Sequence, residues 1–280
     1  MRHIMKIAAL FGTFILTAML STSTMAETWG VTEIQLQLGG EFDSTGAPGK
    51  STGTVTTFLH AGGWEYGDNF FFINHSSYAG KNGLADSKDL YGEWYSNFSL
   101  GAITGKDLSF GPIKDIGIVA GVNYAPDVDS TWALPGVNLA LDLPGFAFAT
   151  LNLTAFIHAS GADTSLAGDF NAPFSIIDEG NSFMVDFAWA YPFKLGATSW
   201  NLEGHLEYVD GNRKQVSNFG TTELESWVLF QPQLRLDIGE LMGTPSNRLF
   251  TGLKYQYWRN KLGVNGVNDN ALEFIAIWRF

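Results

Sequence analysis

Cysteine is absent from this chain of 280 residues. Its absence excludes disulfide bonds, thiol nucleophiles and metal sites that are built on cysteine ligands. The fold must therefore be held together by other means.

Positive charge is scarce as well. Lys and Arg total 16 against 28 Asp and Glu, which gives a formal net charge of −12. A protein that binds nucleic acid needs a basic face to neutralise phosphates. The charge balance therefore argues against a nucleic-acid partner, whereas it permits a membrane barrel, which keeps its charges in loops and lumen.

Long apolar runs are limited to the N-terminus, and no later stretch approaches the 18 or so residues of a membrane-spanning helix. Arg2 and Lys6 precede an apolar stretch over residues 7–20, and Thr24-Met25-Ala26 follow it. This order of basic, apolar and small residues predicts a secretory signal peptide over residues 1–26, cleaved after Ala26. The remaining residues, 27–280, are expected to form one domain.

Aromatic residues make up 14% of the chain, and there are 32 glycines. Aromatic side chains favour strands and membrane interfaces, and glycine serves turns and close backbone approaches. This composition indicates an all-β protein, either a membrane barrel with aromatic girdles or a soluble β-sandwich.

Period-two alternation distinguishes these two classes. Over residues 147–160, Leu151, Leu153 and Ile157 share one face, whereas Asn152 and Thr154 lie on the other. Such alternation over about twelve residues is long for a soluble strand and suits a tilted membrane-spanning strand. The pattern therefore favours a transmembrane antiparallel β-barrel.

Twelve strands in an up-and-down meander account for the alternating segments, and an even number is typical of bacterial barrels. The predicted strands cover residues 30–38, 53–61, 69–79, 89–100, 116–125, 131–141, 147–159, 181–191, 198–209, 222–236, 248–259 and 271–280. A closed barrel also leaves no strand edge exposed to lipid.

The last segment reads ALEFIAIWRF, in which Leu272, Phe274, Trp278 and the terminal Phe280 share a face. An alternating strand that ends on phenylalanine resembles the signal by which outer-membrane barrels are recognised by their assembly machinery. We therefore expect the Phe280 end to contact that machinery.

Three segments resemble a known family. Residues 107–115 read DLSFGPIKD, and residues 90–95 read LYGEWY; Ser130-Thr131-Trp132 follows a little later. The first two segments are similar to a turn and its preceding strand in the nucleoside-specific channel-forming porins of the outer membrane, the Tsx/OmpK-like family, and the third has a counterpart a little later in the same family. The strongest similarity covers about 30 residues.

The resemblance implies a barrel of twelve strands that forms a narrow channel for nucleosides and deoxynucleosides. It also implies outer loops to which phages or colicins attach. Such a channel needs outer-membrane lipid around it and neither a cofactor nor chemistry of its own. We therefore expect passive diffusion of small neutral solutes.

If the aliphatic faces point outward, a polar and aromatic set points into the lumen. The candidates for solute binding are Tyr91, Glu93, Tyr95, Phe58, Phe156, Glu203, His205, Trp227, Lys254 and Trp258. The same face predicts His60, His158, Asp186, Glu207, Glu225, Glu273, Arg235 and Arg279 as lumen residues. Aromatic rings and carboxylates would suit a base and a hydroxylated sugar, although these groups would equally brace a narrow barrel.

An enzymatic alternative rests on two histidines. His158 and His75 each precede a serine by two residues, at Ser160 and Ser77, so each pair shares a strand face. The outer-membrane phospholipase A is also a twelve-stranded barrel with a His-x-Ser pair. That pair faces lipid, whereas the alternation places His158 inward, which favours a plain strand histidine.

Two further alternatives concern metal and surface recognition. Glu203, His205 and Glu207 share a strand face, but they span about 13 Å, too far for one metal ion. They are interpreted as lumen charges, and no metal site is expected. A barrel with little conduction that serves as a surface receptor remains the main alternative to a channel.

Overall fold

The structure is a computed structural model that describes residues 28–44, 49–81, 85–128, 130–160, 177–217 and 220–280. The predicted signal peptide lies outside these residues, so its cleavage stays a prediction. Within the described residues, no helix is long and apolar enough to cross a membrane.

Twelve antiparallel strands form a closed barrel, as the alternation predicted. They are β1 (Trp29–Asp43), β2 (Lys50–Trp64), β3 (Gly67–Gly80), β4 (Ser87–Ser99), β5 (Ile113–Ala125), β6 (Ser130–Leu141), β7 (Phe148–Ser160), β9 (Asn181–Leu195), β10 (Thr198–Val209), β13 (Trp227–Asp237), β14 (Leu249–Arg259) and β15 (Asp269–Arg279). Each barrel strand pairs with the next barrel strand along the chain, so the topology is the predicted meander.

The barrel is closed by its first and last strands. β1 and β15 pair from Glu33 opposite Arg279 to Leu38 opposite Phe274. Beyond this ladder, the backbone N–H of Phe280 donates to the carbonyl of Thr32 at 2.9 Å. The chain end is therefore part of the seam, while recognition of Phe280 by the assembly machinery stays a prediction.

The predicted strand over residues 222–236 is wrong at its start. Residues up to Leu224 belong to a small separate sheet of β8 (Ile177–Glu179), β11 (Arg213–Ser217) and β12 (Gly220–Leu224), and the barrel strand begins at Trp227. Alternation continues across this boundary because both segments are strands, so it does not reveal that the hydrogen-bonding partner changes from β11 to β10.

The connections differ in length between the two ends of the barrel. At the end where β1 begins and β15 ends, the turns after β2 and β9 consist of two residues each, and short helices lie at Leu100–Thr104 and Ile238–Leu241. The small three-stranded sheet lies among the connections of the other end. Because bacterial barrels have short periplasmic turns and longer external loops, the end where β1 begins and β15 ends is periplasmic.

The outer surface of the barrel is apolar and rich in aromatic residues. The exposed outward residues include Ile34, Leu36, Leu253, Leu272 and Phe274. Aromatic rings also stack along this surface: Phe71 lies on Trp94 with ring centroids 5.3 Å apart, and Phe187 lies on Trp189 at 5.4 Å. Such a surface is stable in contact with lipid, where the closed ladder satisfies the backbone.

A charge placed on this surface should destabilise the barrel. Leu253 lies near the middle of β14, opposite Leu234 and Phe274, and is 46% exposed. We expect Leu253→Arg to lower the free energy of unfolding in lipid vesicles by about 2–4 kcal/mol, as for cations near a bilayer midplane. Denaturant titration of the refolded protein measures this difference.

The matched control is Leu241→Arg, in the periplasmic helix Ile238–Leu241. This variant makes the same Leu-to-Arg exchange outside the membrane-spanning strands, so we expect the free energy of unfolding to change by only about 0–1 kcal/mol. Equal losses for the two variants would contradict the assignment of the apolar band to lipid.

Candidate functional site in the barrel lumen

The lumen receives most of the residues that the alternation assigned to it. The inward-facing positions include Tyr91, Glu93, Tyr95, Phe156, His158, Asp186, Glu203, His205, Glu207, Trp227, Arg235, Lys254, Trp258, Glu273 and Arg279, as their alternation with the exposed residues of each strand shows. Their proposed role in solute binding stays a prediction.

Three predicted lumen residues do not face the lumen. Phe58 is 40% exposed on the outer surface of β2, and its ring lies 5.9 Å from that of Phe71. His60 shares this outer face and bonds Thr32 at 2.8 Å. Glu225 is exposed between β12 and β13. The prediction failed for Phe58 because Val55 and Thr57 lie on the inner face of β2. One of these residues is apolar and the other is polar, so residue type does not distinguish the two faces of this strand.

A network of ion pairs occupies one part of the lumen. Glu33, only 1% exposed, accepts from Arg279 of the neighbouring strand at 2.6 Å and from Arg235 at 3.2 Å. Arg235 also pairs with Glu203 at 2.7 Å. Because β14 and β15 lie between β13 and β1, the Arg235–Glu33 contact bridges the inside of the barrel.

A second set of polar contacts lies nearer the external end. Lys254 donates to Gln37 at 2.8 Å, again across an intervening strand, and lies 3.9 Å from Glu273. Asp269 accepts from Gln256 at 2.8 Å and pairs with Lys261 at 2.9 Å. Buried charges need partners of this kind. These contacts brace the wall formed by β1, β13, β14 and β15.

The opposite wall, formed by β4 to β7, β9 and β10, also carries polar groups. The described residues of these strands contribute no buried cation. The Tyr91 hydroxyl donates to Glu93 at 2.6 Å, and Tyr95 donates to Asn123 at 3.3 Å. On β6, β7 and β9, a chain of amides runs from Asn138 through Asn152 to Asp186. Glu93, Asp186 and Glu207 will be called the acidic cluster.

Aromatic rings line the lumen between these walls. Trp132 stacks on Phe156 with ring centroids 5.9 Å apart, and Trp227 lies 5.4 Å from Trp258. The indole N–H groups of Trp132, Trp227 and Trp258 are buried and have no hydrogen-bond partner among the described residues, and the same is true of the Thr154 hydroxyl. Buried donors without a protein partner are rare and indicate water or a ligand.

Several inward residues were missed by sequence reasoning. Leu134, Met184, Ile275 and Ile277 point inward and are almost fully buried, as is the guanidinium-bearing side chain of Arg213 from the external strand β11. The first four could have been found by extending the alternation of each strand. Arg213 could not have been found in this way, because it belongs to the external strand β11 and not to a barrel strand.

Neither His-x-Ser pair has the geometry of an esterase at the lipid face. His158 points inward, where its ring lies 5.8 Å from that of Trp132. His75 and Ser77 do point outward. Their cross-strand partners are Thr54, Thr56, Lys88 and Leu90, none of which is a carboxylate or amide that could orient the imidazole. Among the described residues, no group of three or more His, Asp or Glu is placed to hold a metal ion.

The periplasmic turn that carries the family resemblance is built by its own polar residues. Ser99 caps the helix Leu100–Thr104 and also bonds Asp115, which accepts from the backbone of Gly101 at 3.2 Å. Hydrogen bonds from the Ser109 hydroxyl and backbone N–H lower the pKa of Asp107. The resemblance in this turn therefore concerns residues that shape the scaffold.

A closed antiparallel barrel with an apolar, aromatic-rich exterior and charges inside is the spanning structure of the bacterial outer membrane. The protein is a β-barrel of that membrane. No protein-family model matches the chain, and no curated protein matches it.

Solved outer-membrane barrels have a similar architecture. An outer membrane channel from Pseudomonas putida F1 is 10% identical, with a TM-score of 0.49, and the match covers 90% of this chain and 94% of that chain. The translocator domain of the autotransporter NalP from Neisseria meningitidis is 12% identical, with a TM-score of 0.42 and coverage of 100% and 98%. At these identities the likeness concerns the fold alone.

Loss of the central cation of the ion-pair network should destabilise the barrel. Arg235, 3% exposed, is the residue that joins Glu33 to Glu203. Arg235→Gln leaves Glu203 without its cation, and we expect a loss of about 3–5 kcal/mol in the free energy of unfolding. Denaturant titration in vesicles measures it, with the exposed Lys114→Gln as a control that removes the same charge.

The double variant Glu203→Gln/Arg235→Gln should regain part of the loss, because it also removes the carboxylate that Arg235→Gln leaves without its cation. If Arg235→Gln unfolds at the same denaturant concentration as Lys114→Gln, the network is not a structural brace.

Proposed function

We propose that this barrel is a narrow channel through which small solutes cross the outer membrane by passive diffusion, with nucleosides as the favoured solutes. It performs no chemistry. The observation that carries the proposal is the set of buried indole N–H groups of Trp132, Trp227 and Trp258, which face the lumen without partners among the described residues.

A nucleoside complements this lining. Its base offers a flat face for the aromatic rings and acceptors for the indole N–H groups, and its sugar hydroxyls can donate to Glu93 and Asp186. Passage through a channel also requires weak, repeated contacts, because tight binding prevents release. The similarity of residues 90–95 to the nucleoside-channel family supports the same solute class, since Tyr91, Glu93 and Tyr95 lie on the lumen side of β4.

Planar-bilayer conductance of the refolded protein tests the proposal. We expect small current steps that nucleosides block in a saturable way. Trp227→Phe keeps an aromatic ring and removes the indole N–H, so the blocking constant should weaken about three- to tenfold, the value of one hydrogen bond. Glu93→Gln should weaken it as well.

The control is Phe58→Leu, which changes an aromatic residue on the lipid-facing side of β2 and should leave the block unchanged. Current steps that nucleosides do not affect would remove the nucleoside assignment. A correctly folded barrel without conductance would remove the channel itself.

A second candidate function is a surface receptor with little conduction, for example an attachment site for phages or colicins. The packing of the lumen favours it, because Leu134, Met184, Ile275 and Glu273 are almost fully buried. Replacing residues 214–223 by a short Gly-Ser linker, which leaves Arg213 in place, separates the two functions. A channel keeps its conductance after this replacement, whereas a receptor loses attachment.

A further inference from the structure

Apolar side chains from opposite sides of the barrel belong to one buried cluster. Tyr95 lies on β4 and Trp227 on β13, and these strands are six steps apart in the circular order β4, β5, β6, β7, β9, β10, β13. The cluster will be called the septum, and its members are Tyr95, Val119, Leu134, Phe156, Met184, Val209, Trp227 and Leu229. Such a cluster either follows half of the inner wall or crosses the lumen.

The burial of its members shows that the septum crosses the lumen. Leu134 and Met184 point inward and are 0% exposed, and the same is true of Val119 and Val209. In a hollow barrel filled with water, the tip of an inward side chain would be exposed to the lumen. Full burial of these four residues therefore means that other side chains fill the lumen at their level.

A glycine allows two large members of the septum to approach each other. Gly121 lies directly opposite Tyr95 on one side and Leu134 on the other. A Cβ added at Gly121 would lie 2.8 Å from the Tyr95 ring and 3.0 Å from the Cβ of Leu134. Met184, opposite Val209, is unbranched and flexible, so it is the member that can most readily move aside.

Buried donors without protein partners lie in and beside the septum. The indole N–H of Trp227 has no hydrogen-bond partner among the described residues, nor has the hydroxyl of Thr154, which lies opposite Met184. The same holds for the indole N–H of Trp132, whose ring stacks on Phe156. Apolar surfaces with a few isolated donors are typical of sites for a flat solute that carries hydrogen-bond acceptors.

We propose that the septum is the selectivity barrier of the lumen: it excludes ions and sugars, and only uncharged solutes with a flat aromatic face cross it. An apolar constriction loses its water, so a hydrated ion meets a barrier there. A sugar loses the hydration of its hydroxyls in the same place. An aromatic ring instead replaces the apolar contacts of Leu134 and Met184 as these side chains move aside. The crossing of such solutes rests on the proposed channel, whereas the exclusion of ions and sugars does not.

Uptake of radiolabelled adenosine and ribose into proteoliposomes with the refolded protein tests the septum. We expect adenosine to enter about tenfold faster than ribose, because only ribose has no apolar face to offset its lost hydration. Leu134→Asn and Met184→Gln each introduce a polar side chain of similar size. Both variants should raise ribose uptake and ion conductance about three- to tenfold, and so reduce the preference for adenosine.

Ile275→Asn is the matched control for Leu134→Asn. Ile275 is also inward and fully buried, but its apolar cluster with Phe250 and Ile277 is confined to the adjacent strands β14 and β15. This variant should keep both uptake rates of the unchanged protein. The proposal is overturned if folded Leu134→Asn and Met184→Gln keep the full preference for adenosine, or if Ile275→Asn loses that preference to the same extent.

The same measurements separate the septum from the proposed function. If the unchanged protein takes up adenosine and ribose equally fast, passive diffusion stands and the septum is overturned as the selectivity barrier. If the unchanged protein takes up neither solute while Leu134→Asn and Met184→Gln take up ribose, the proposed channel function is overturned. That second result supports the septum as the barrier that closes the lumen.

Discussion

The structure depends on the closure of one hydrogen-bonded ladder. Lipid offers no partner for backbone N–H and C=O groups, so a sheet in a membrane must have no free edge. Pairing of β1 with β15 meets this requirement. Once the sheet is closed, each strand has one face toward lipid and one toward the interior, and every charge within the membrane is confined to a narrow lumen.

Confinement explains the two kinds of polar arrangement in the lumen. Glu33, Arg235, Arg279 and Glu203 neutralise one another, so that wall can be closely packed. Among the described residues, the acidic cluster has no buried cation on its own strands. The first arrangement serves stability, whereas the second supplies carboxylates that the solutes of the proposed channel would contact.

Much of the fold could be predicted from the sequence because the side-chain period of a strand is two. The twelve strands and the inward positions of Glu203, His205 and Glu207 follow directly from alternation. Phe58 shows where this fails: an aromatic residue suits both lipid and lumen, so its type does not choose a face. Alternation also could not show that the chain returns to the barrel only at Trp227, after the small separate sheet ends at Leu224.

The candidate site was predictable only in part, because contacts across the lumen join strands that are distant in sequence. Glu33 and Arg235 are 202 positions apart, and nothing in either strand identifies the other as its partner. The burial of Arg213 against Phe156 depends on the path of the external connection, which alternation does not describe. Whether a residue faces the lumen is determined by its position in its own strand, whereas its partner across the lumen depends on the whole barrel.

The ion-pair network also has a consequence for the order of assembly. Glu33 lies on the first barrel strand, and its cations come from the third-last and the last strands. A growing chain therefore exposes this carboxylate without compensation until the final strand is in place. Before that moment an open sheet keeps Glu33 hydrated, and this part of the lumen is closed only when Arg279 pairs with Glu33. The seam thereby makes completion of the chain a condition for sealing the barrel.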